Sequence, residues 1–256
     1  MRFVRYLSGD KTPRLGWVLE ESVGEIEGSP FSQFQRLGAD QPLAAVRLLS
    51  PVLPGKIVGV GRNYAAHARE QGVEVPEVPI LFLKPPSAVI GPNEAIRLPP
   101  QSQQVEHEAE LAVVIGKEAR WIRPEESLDY VLGYTIANDV TARDLQRRDG
   151  QWTRGKGFDT FCPLGPWIET EFDPSDALIT CHVQDELRQM ASTRDMVFNI
   201  RQIIAYTSSI MTLEPGDVIL TGSPSGVGPL QAGDTVRITI EGLGALDNPV
   251  IQEKSW

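Results

Sequence analysis

The sequence predicts an α+β fold with a large β component. Short apolar runs bounded by glycine and proline recur along the chain, most clearly over 214–244, EPGDVILTGSPSGVGPLQAGDTVRITIEGLG. Helical periodicity is strong over one stretch only, FNIRQIIAYTSSIM (198–211), which predicts an amphipathic helix. The apolar face of that helix holds four isoleucines: Ile200, Ile203, Ile204 and Ile210.

The N-terminal part predicts a small β-rich unit. RFVRYL (2–7) and LGWVLEE (15–21) read as strands, and a polar, partly helical piece is expected after them. The Pro/Gly-rich SPVLPGK (50–56) marks a boundary, so we expect a small domain over 1–53 and a larger one over 54–256. Because about fifty residues form only a marginal core, the small domain should pack onto the main body.

The remaining elements follow from apolar runs and from turn and cap signals. Strands are predicted at KIVGVG (56–61), PILFLKPPSAVIG (79–91, with a proline turn inside), YTIANDV (134–140), CPLGPWIE (162–169) and ALITCHVQDELRQ (177–189). Short helices are predicted at NYAAHAREQG (63–72), PEESLDYV (124–131) and TARDLQRRD (141–149).

Composition excludes several classes of function. The chain has 256 residues and a net charge of −10, which argues against a general nucleic-acid or anionic-membrane binder. It has no apolar run of roughly 20 residues that could span a bilayer, and its charged N-terminus does not resemble a signal peptide. Cys162 and Cys181 have no CxxC spacing, which favours reduced thiols. We therefore expect a cytoplasmic protein.

VEHEAELAVVIGK (105–117) raises the question of a metal site. In a strand, Glu106, Glu108 and Glu110 would share one face that continues into Ala112, and neighbouring like charges there repel. A bound cation would relieve that repulsion, and oxygen-only ligands favour Mg²⁺, Mn²⁺ or Ca²⁺. The alternative is an acidic strand end that projects into water.

Two further sites have both a chemical and a structural interpretation. His67 and Glu70 lie three residues apart on a predicted helix, so they form either a general base with its orienting carboxylate or a surface pair. Asp139 follows an apolar strand and precedes a helix, so it is either a third metal carboxylate or a helix N-cap.

The segment 143–156 is basic within an acidic protein. Arg147 and Arg148 fit a solvated helix face, whereas Lys156 lies between glycines in RGKGFDTF and could hold an anionic substrate or a developing enolate. Two glycine-rich stretches are weak nucleotide signals. GVGRNY (59–64) lacks the third glycine of a dinucleotide fingerprint, and TGSPSGVGP (221–229) reads as a β-turn or a pocket edge.

Six motifs in order resemble the fumarylacetoacetate hydrolase family: GRNYAAHARE, ILFLKPPSAVIGP, EHEAELAVVIGK, GYTIANDVTARDLQ, KGFDTFCPLGP and LTGSPSGVGP. The resemblance runs from about Lys56 to the C-terminus, and the preceding residues look like the small N-terminal domain of short bacterial-type members. It implies a mixed β-roll or β-sandwich with peripheral helices, usually a homodimer. It also favours the metal-site interpretation of the glutamates.

The resemblance also implies residue roles. The metal ligands for Mg²⁺ or Mn²⁺ would be Glu108, Glu110 and Asp139; Glu106 receives no such role. The catalytic residues would be His67 and Glu70, as a water-activating pair on a lid, and Lys156 beside the anionic oxygens of the substrate. The substrate-binding residues would be Gln146, Thr221, Arg62 and Tyr64.

Three reactions suit these residues, all on a 2-oxo or 1,3-dicarbonyl acid. The pair of His67 and Glu70 favours hydrolysis of a C–C bond in an acylpyruvate or fumarylpyruvate, by water activation. Isomerisation of a 2-hydroxyhepta-2,4-diene-1,7-dioate and decarboxylation of an oxaloacetate-type acid, both steps of aromatic catabolism, are the alternatives. A non-catalytic metal-binding protein is a further alternative, but it would need neither His67 nor Lys156.

Overall fold

The structure is a computed structural model that describes residues 1–9 and 11–254. Its strands are β1 (Arg2–Leu7), β2 (Pro13–Leu19), β3 (Ser22–Gly28), β4 (Phe34–Pro42), β5 (Arg47–Leu49), β6 (Ile57–Gly61), β7 (Ile80–Lys84), β8 (Val89–Ile90), β9 (Ile96–Leu98), β10 (Val105–His107), β11 (Ala109–Ile115), β12 (Val131–Asn138), β13 (Thr141–Ala142), β14 (Cys162–Glu169), β15 (Leu178–Val183), β16 (Glu186–Ser192), β17 (Val218–Leu220), β18 (Gly228–Pro229), β19 (Thr235–Ile240) and β20 (Gly244–Gln252).

The helices are short and few. The α-helices of the described residues are α1 (Ala65–Glu70), α2 (Arg143–Asp149), α3 (Thr153–Lys156) and α4 (Ile200–Ile210). Single 3₁₀ segments lie at Leu43–Ala45, Pro86–Ala88, Pro124–Tyr130 and Thr193–Asp195. The predicted α+β class with a dominant β component is confirmed.

Three sheets organise the strands. The largest runs β4-β3-β2-β1-β14-β12-β11-β17-β6-β7, with β5 on β1 and β8 on β14. The others are β13-β10-β18 and β16-β15-β19-β20-β9. Strand β1 lies antiparallel to β14, with Arg2 opposite Glu169, so the N-terminal strands extend the main sheet. The expectation that this segment packs onto the main body is therefore confirmed.

The piece after the first two strands is not helical, apart from one 3₁₀ turn. Strands β3, β4 and β5 occupy it, and most β4 side chains are exposed. The expectation of a partly helical segment was wrong because β4 is an edge strand of the sheet. Its backbone is satisfied by the ladder with β3, so its side chains need not alternate between apolar and polar.

Strand β11 is the centre of the fold and is buried along its whole length. Leu111 and Val113 pack into one apolar cluster and Ala112 and Val114 into another on the opposite face. The glutamate face therefore runs directly into the core, as the alternation predicts. Burial on both faces fixes the strand in register and gives the site a rigid base.

Helix α4 confirms the amphipathic prediction. The Asn199 side chain accepts from the Gln202 N–H, and the Gln202 side chain accepts from the Asn199 N–H, which together form a capping box. Ile203 and Ile204 are fully buried, whereas Ile210 is half exposed. Within the part of the chain that the structure describes, no helix has the length and apolarity needed to cross a membrane.

Candidate active site

The glutamate stretch forms two strands rather than the single strand predicted from its alternation. Strand β10 pairs with β13 and β18, whereas β11 belongs to the main sheet. Glu108 lies at the break, where its carbonyl oxygen accepts from the Asp139 N–H at 2.8 Å and its own N–H donates to Asn138 Oδ1 at 2.9 Å. All three glutamates are buried, so the interpretation of an acidic end in water was wrong.

Three buried carboxylates converge at this break. Oxygen atoms of Glu108, Glu110 and Asp139 all lie within 4.8 Å of one another. Asp139 is not a helix cap, because Ala142 holds the N-cap position of α2 and no side chain caps that helix. Its carboxylate instead accepts from Lys84 Nζ at 2.6 Å and from Lys156 Nζ.

Lys156 and a third cation, Arg143, also hold the other carboxylates. Lys156 Nζ donates to Glu108 at 2.8 Å as well as to Asp139, and so bridges them. Arg143 donates to Glu108 and, through Nε at 2.7 Å, to Glu106. Glu106 therefore pairs with Arg143 and is not part of the triad of Glu108, Glu110 and Asp139. Around this point four buried carboxylates face three buried cations, Lys84, Arg143 and Lys156.

The charges act on each other strongly because water is excluded. Burial alone would raise the pKa of Glu108, but Lys156 and Arg143 outweigh it and hold that pKa well below its ordinary value of 4.5. Burial alone would lower the pKa of Lys156, but Asp139 and Glu108 raise it above its ordinary value of 10.5. The lysine is therefore an ammonium that can hold a substrate oxygen.

Glu110 is the carboxylate with the least compensation. It accepts the Gly222 N–H at 2.6 Å, and burial, followed by the charges of Asp139 and Glu108, raises its pKa well above 4.5. A divalent cation would relieve this repulsion, and a set of three carboxylate oxygens without sulfur or nitrogen suits a hard ion such as Mg²⁺ or Mn²⁺. The residues present therefore fit the metal that the resemblance implies.

Helix α1 places a second group beside the triad. His67 is buried, and its Nδ1 lies 3.1 Å from Glu70 Oε2. Glu70 also accepts the Gly226 N–H at 3.0 Å, which ties the helix to the 221–229 turn. On the other side of the ring, His67 Nε2 lies 2.9 Å from the side-chain amide of Gln71. The sequence-predicted pair is thus assembled, and it faces the carboxylates.

Two neighbouring cavities share part of their lining beside these groups. A narrow one is lined by the carboxylate triad, His67 and Lys156. A wider one of about 460 Å³ opens beside it, and Arg62, Gln71 and Gln146 line both. Gln146 Oε1 accepts from Arg143 at 2.6 Å. A metal ion or one polar group of a ligand could therefore lie in the narrow cavity beside the triad and the imidazole, with the rest of the ligand in the wider cavity beside the arginines.

Two of the predicted substrate residues lie behind the cavities. Thr221 is fully buried, and its hydroxyl donates to the Leu111 carbonyl at 2.9 Å. Tyr64, the N-cap residue of helix α1, is buried, and its hydroxyl has no hydrogen-bond partner among the described residues. Burial, with the charges of Glu110 and Asp195, raises the pKa of the Tyr64 phenol. Neither side chain lines the two cavities described above.

Sequence reasoning missed several residues of the site. Lys84 is the last residue of the apolar strand β7. A charged residue at the end of an apolar strand is the same kind of signal as the glutamates at the start of one, and it could have indicated this residue. Arg143 lies three residues before Gln146 on α2, so the two share a face. Gln71 carried no signal, because an amide after a helix is common on surfaces.

The comparisons with known proteins agree with this geometry. A model of the fumarylacetoacetate (FAA) hydrolase C-terminal domain matches residues 56–251, and an Rv2993c-like N-terminal model matches residues 1–51. The chain is 41% identical over 288 residues to the mitochondrial oxaloacetate tautomerase fahd2 of Xenopus laevis, covering 98% of this chain and 90% of that protein.

Two solved structures have the same fold. One is a 5-carboxymethyl-2-hydroxymuconate delta-isomerase from Mycobacterium smegmatis, with 47% identity, a TM-score of 0.91, and coverage of 99% of this chain and 100% of the other. The second is a maleylpyruvate hydrolase from Sphingobium sp. SYK-6 in complex with manganese(II) and pyruvate, with 34% identity, a TM-score of 0.82 and the same coverage. With its motifs, fold and family-model match taken together, the chain belongs to the fumarylacetoacetate hydrolase family of enzymes.

Proposed function

We propose that this protein is a Mg²⁺- or Mn²⁺-dependent enzyme that moves a proton between carbon and oxygen in a 2-oxo dicarboxylic acid, by keto–enol tautomerisation or double-bond isomerisation. The observation that carries the proposal is one pocket in which the His67 imidazole faces the Glu108, Glu110 and Asp139 carboxylates. A base beside a cation site is what removal of a proton next to a carbonyl requires.

The three carboxylates would hold the metal. When bound there, a divalent cation supplies Lewis acidity that polarises the 2-oxo group. The manganese and pyruvate held by the related maleylpyruvate hydrolase support this choice of metal and of substrate headgroup.

His67 would carry the proton. Its Nδ1 faces the Glu70 carboxylate, so Nε2, which lies 2.9 Å from the Gln71 amide, is the nitrogen that would take a proton from the carbon next to the carbonyl and return it. Glu70 stabilises the positive charge that the ring gains. Lys156, which lies in the same cavity, donates to the oxygen on which negative charge develops.

The wider cavity supports a second carboxylate on the substrate. Arg62 and Arg147 line it, and the Arg62 Nε is buried with no hydrogen-bond partner. Arg62 also has a φ of +58°, a strained backbone for a residue with a side chain, which is a feature of functional positions. A guanidinium with an unpaired Nε held there would bind a carboxylate well.

The test is a proton NMR assay in D₂O with oxaloacetate, a dicarboxylate, and acetylpyruvate, a monocarboxylate, as matched substrates. Chelator-stripped protein would be assayed with and without Mg²⁺, against an enzyme-free blank with the same metal. We expect metal-dependent exchange of the C3 protons above the blank, faster for oxaloacetate, with both carbon skeletons intact. His67→Ala should lower exchange by about 100-fold or more.

Hydrolysis is the second candidate, because the same His67–Glu70 pair could activate water. Release of acetate and pyruvate from acetylpyruvate would establish it in place of tautomerisation. Loss of carbon dioxide from oxaloacetate above the blank would establish a decarboxylase. No reaction of any kind, although Mn²⁺ binds, would contradict catalysis of this class. The homodimer, the cytoplasmic location, the two-domain division and a place in aromatic catabolism remain predictions.

A further inference from the structure

Gln71 lies at the end of helix α1, one residue after Glu70. Its backbone N–H donates to the His67 carbonyl at 3.1 Å, so the residue is fixed to the helix. Its side chain returns to the same histidine, with Nε2 of the amide 2.9 Å from Nε2 of the ring. The imidazole is therefore bonded at both of its nitrogens by two consecutive residues, Glu70 and Gln71.

The chemistry of the two neighbours decides which ring nitrogen carries hydrogen. An ionised carboxylate can only accept, so the ring nitrogen that faces Glu70 must donate. In the neutral imidazole the other nitrogen, Nε2, then has the lone pair, and the Gln71 amide donates to it. Gln71 thus occupies the one lone pair through which His67 could act as a base.

Gln71 has room to leave this position. It lines both the narrow and the wider cavity, and it is an exposed residue, whereas the histidine beneath it is buried. Glu70 does not depend on it, because the Gly226 N–H holds that carboxylate from the opposite side. The amide could turn toward the wider cavity while the ring and its orienting carboxylate stay in place.

We propose that Gln71 is a positioning residue that covers the His67 lone pair until a 2-oxo acid displaces it. The catalytic purpose of this cap rests on the proposed function, whereas its geometry does not. While the cap is in place the ring is held in the reactive tautomer. The binding of substrate then exchanges the amide–imidazole hydrogen bond for the contact with the reacting carbon.

The first test is independent of turnover. The chain has three histidines, so ring nitrogen-15 spectra of histidine-labelled protein are simple, and His67→Gln assigns the resonances. In Mg²⁺-loaded enzyme we expect Gln71→Met, which keeps the side-chain length but removes the donor, to move the His67 Nε2 resonance toward that of a free lone pair. Pyruvate added to the wild type should move it away from its capped position.

The second test is kinetic. Because a displaced hydrogen bond opposes substrate binding, Gln71→Met should lower KM about two- to tenfold and change kcat little. Arg69→Met, an exposed change on the same helix, is the matched control and should alter neither the resonance nor KM. An unchanged Nε2 resonance in Gln71→Met, or a KM that rises, would overturn the cap. If the Nε2 resonance moves but no substrate reacts, the proposed function is contradicted, whereas the hydrogen bond between Gln71 and His67 is still supported.

Discussion

The two faces of the stretch 105–110 hold opposite kinds of buried polar network. On one face, Glu108 and Glu110 join Asp139 in a group of four buried carboxylates, with Glu106, that face three buried cations. On the other face, His107 Nδ1 lies 2.9 Å from the side-chain oxygen of Gln189. Both networks are deep in the protein, and both are anchored to the same backbone.

The neutral network is satisfied at Gln189, although the buried His107 Nε2 has no hydrogen-bond partner among the described residues. Gln189 accepts from the Ala109 N–H at 3.0 Å and donates to the Ser223 hydroxyl and the Pro224 carbonyl, each at 2.8 Å. One amide therefore joins the strand that carries the glutamates to the turn that binds Glu110 and Glu70. A fully satisfied buried amide fixes position without leaving charge behind.

In the charged network, by contrast, Glu110 has a raised pKa, and within the described residues it accepts one hydrogen bond, from the Gly222 N–H. Such a cluster stabilises a fold poorly, because the desolvation of several charges opposes their mutual attraction. The charged face therefore suits the binding of a ligand, and the neutral face suits a structural role. Substitutions can separate the two roles.

The largest effect is expected for a substitution on the charged face, and the quantity that changes is turnover. Asp139→Asn removes one of the three carboxylates, so metal-dependent exchange should fall about 1000-fold, equivalent to about 4 kcal/mol. Titration with Mn²⁺ should show weakened binding. The exposed Asp185→Asn is the control. Full activity in Asp139→Asn would remove that residue from the metal site.

The next effect is expected on the neutral face and on stability. Gln189→Leu leaves the Ala109 N–H and the Ser223 hydroxyl buried without their partner, so the free energy of unfolding should drop by about 3 kcal/mol. Urea unfolding of the metal-free protein measures it, with the exposed Gln231→Leu as the control. An equal loss of unfolding free energy in Gln189→Leu and Gln231→Leu would remove the structural role of the neutral face.

The smallest effect is expected where charges meet water. Glu169 accepts from the Met1 ammonium at 2.8 Å and from Arg2 Nε at 3.1 Å at the edge of the sheet. Burial alone would raise the pKa of Glu169, but these donors hold it below its ordinary value of 4.5. Glu169→Gln should cost less than about 1 kcal/mol, since such pairs are screened by solvent.

The pH dependence of that cost has a definite sign. A carboxyl with a lowered pKa stabilises the fold fully above its unfolded value, and the contribution is lost as the pH falls through the folded value. The stability difference between wild type and Glu169→Gln should therefore be constant near pH 7 and shrink below pH 4.5. A difference that grows on acidification would contradict the assignment.

Local sequence predicted the elements with strong periodicity and missed those set by a neighbour. Helix α4 was predicted because its apolar period is a local signal. The polar strand β4 was missed because its partner β3 supplies its hydrogen bonds. The break at Glu108 was missed because Asn138 and Asp139 come from another strand.

By itself, the sequence determined that Glu108 and Glu110 share a face, that His67 and Glu70 are one helical turn apart, and that the motifs are those of one enzyme family. The shared face and the helical spacing follow from the 2-residue and 3.6-residue periods of the backbone, whereas the family rests on the resemblance of the motifs. Only the tertiary structure decided which charges meet. Lys84, Asp139 and Lys156 lie far apart in sequence. The fold pairs them because a buried charge without a partner of opposite sign would be costly.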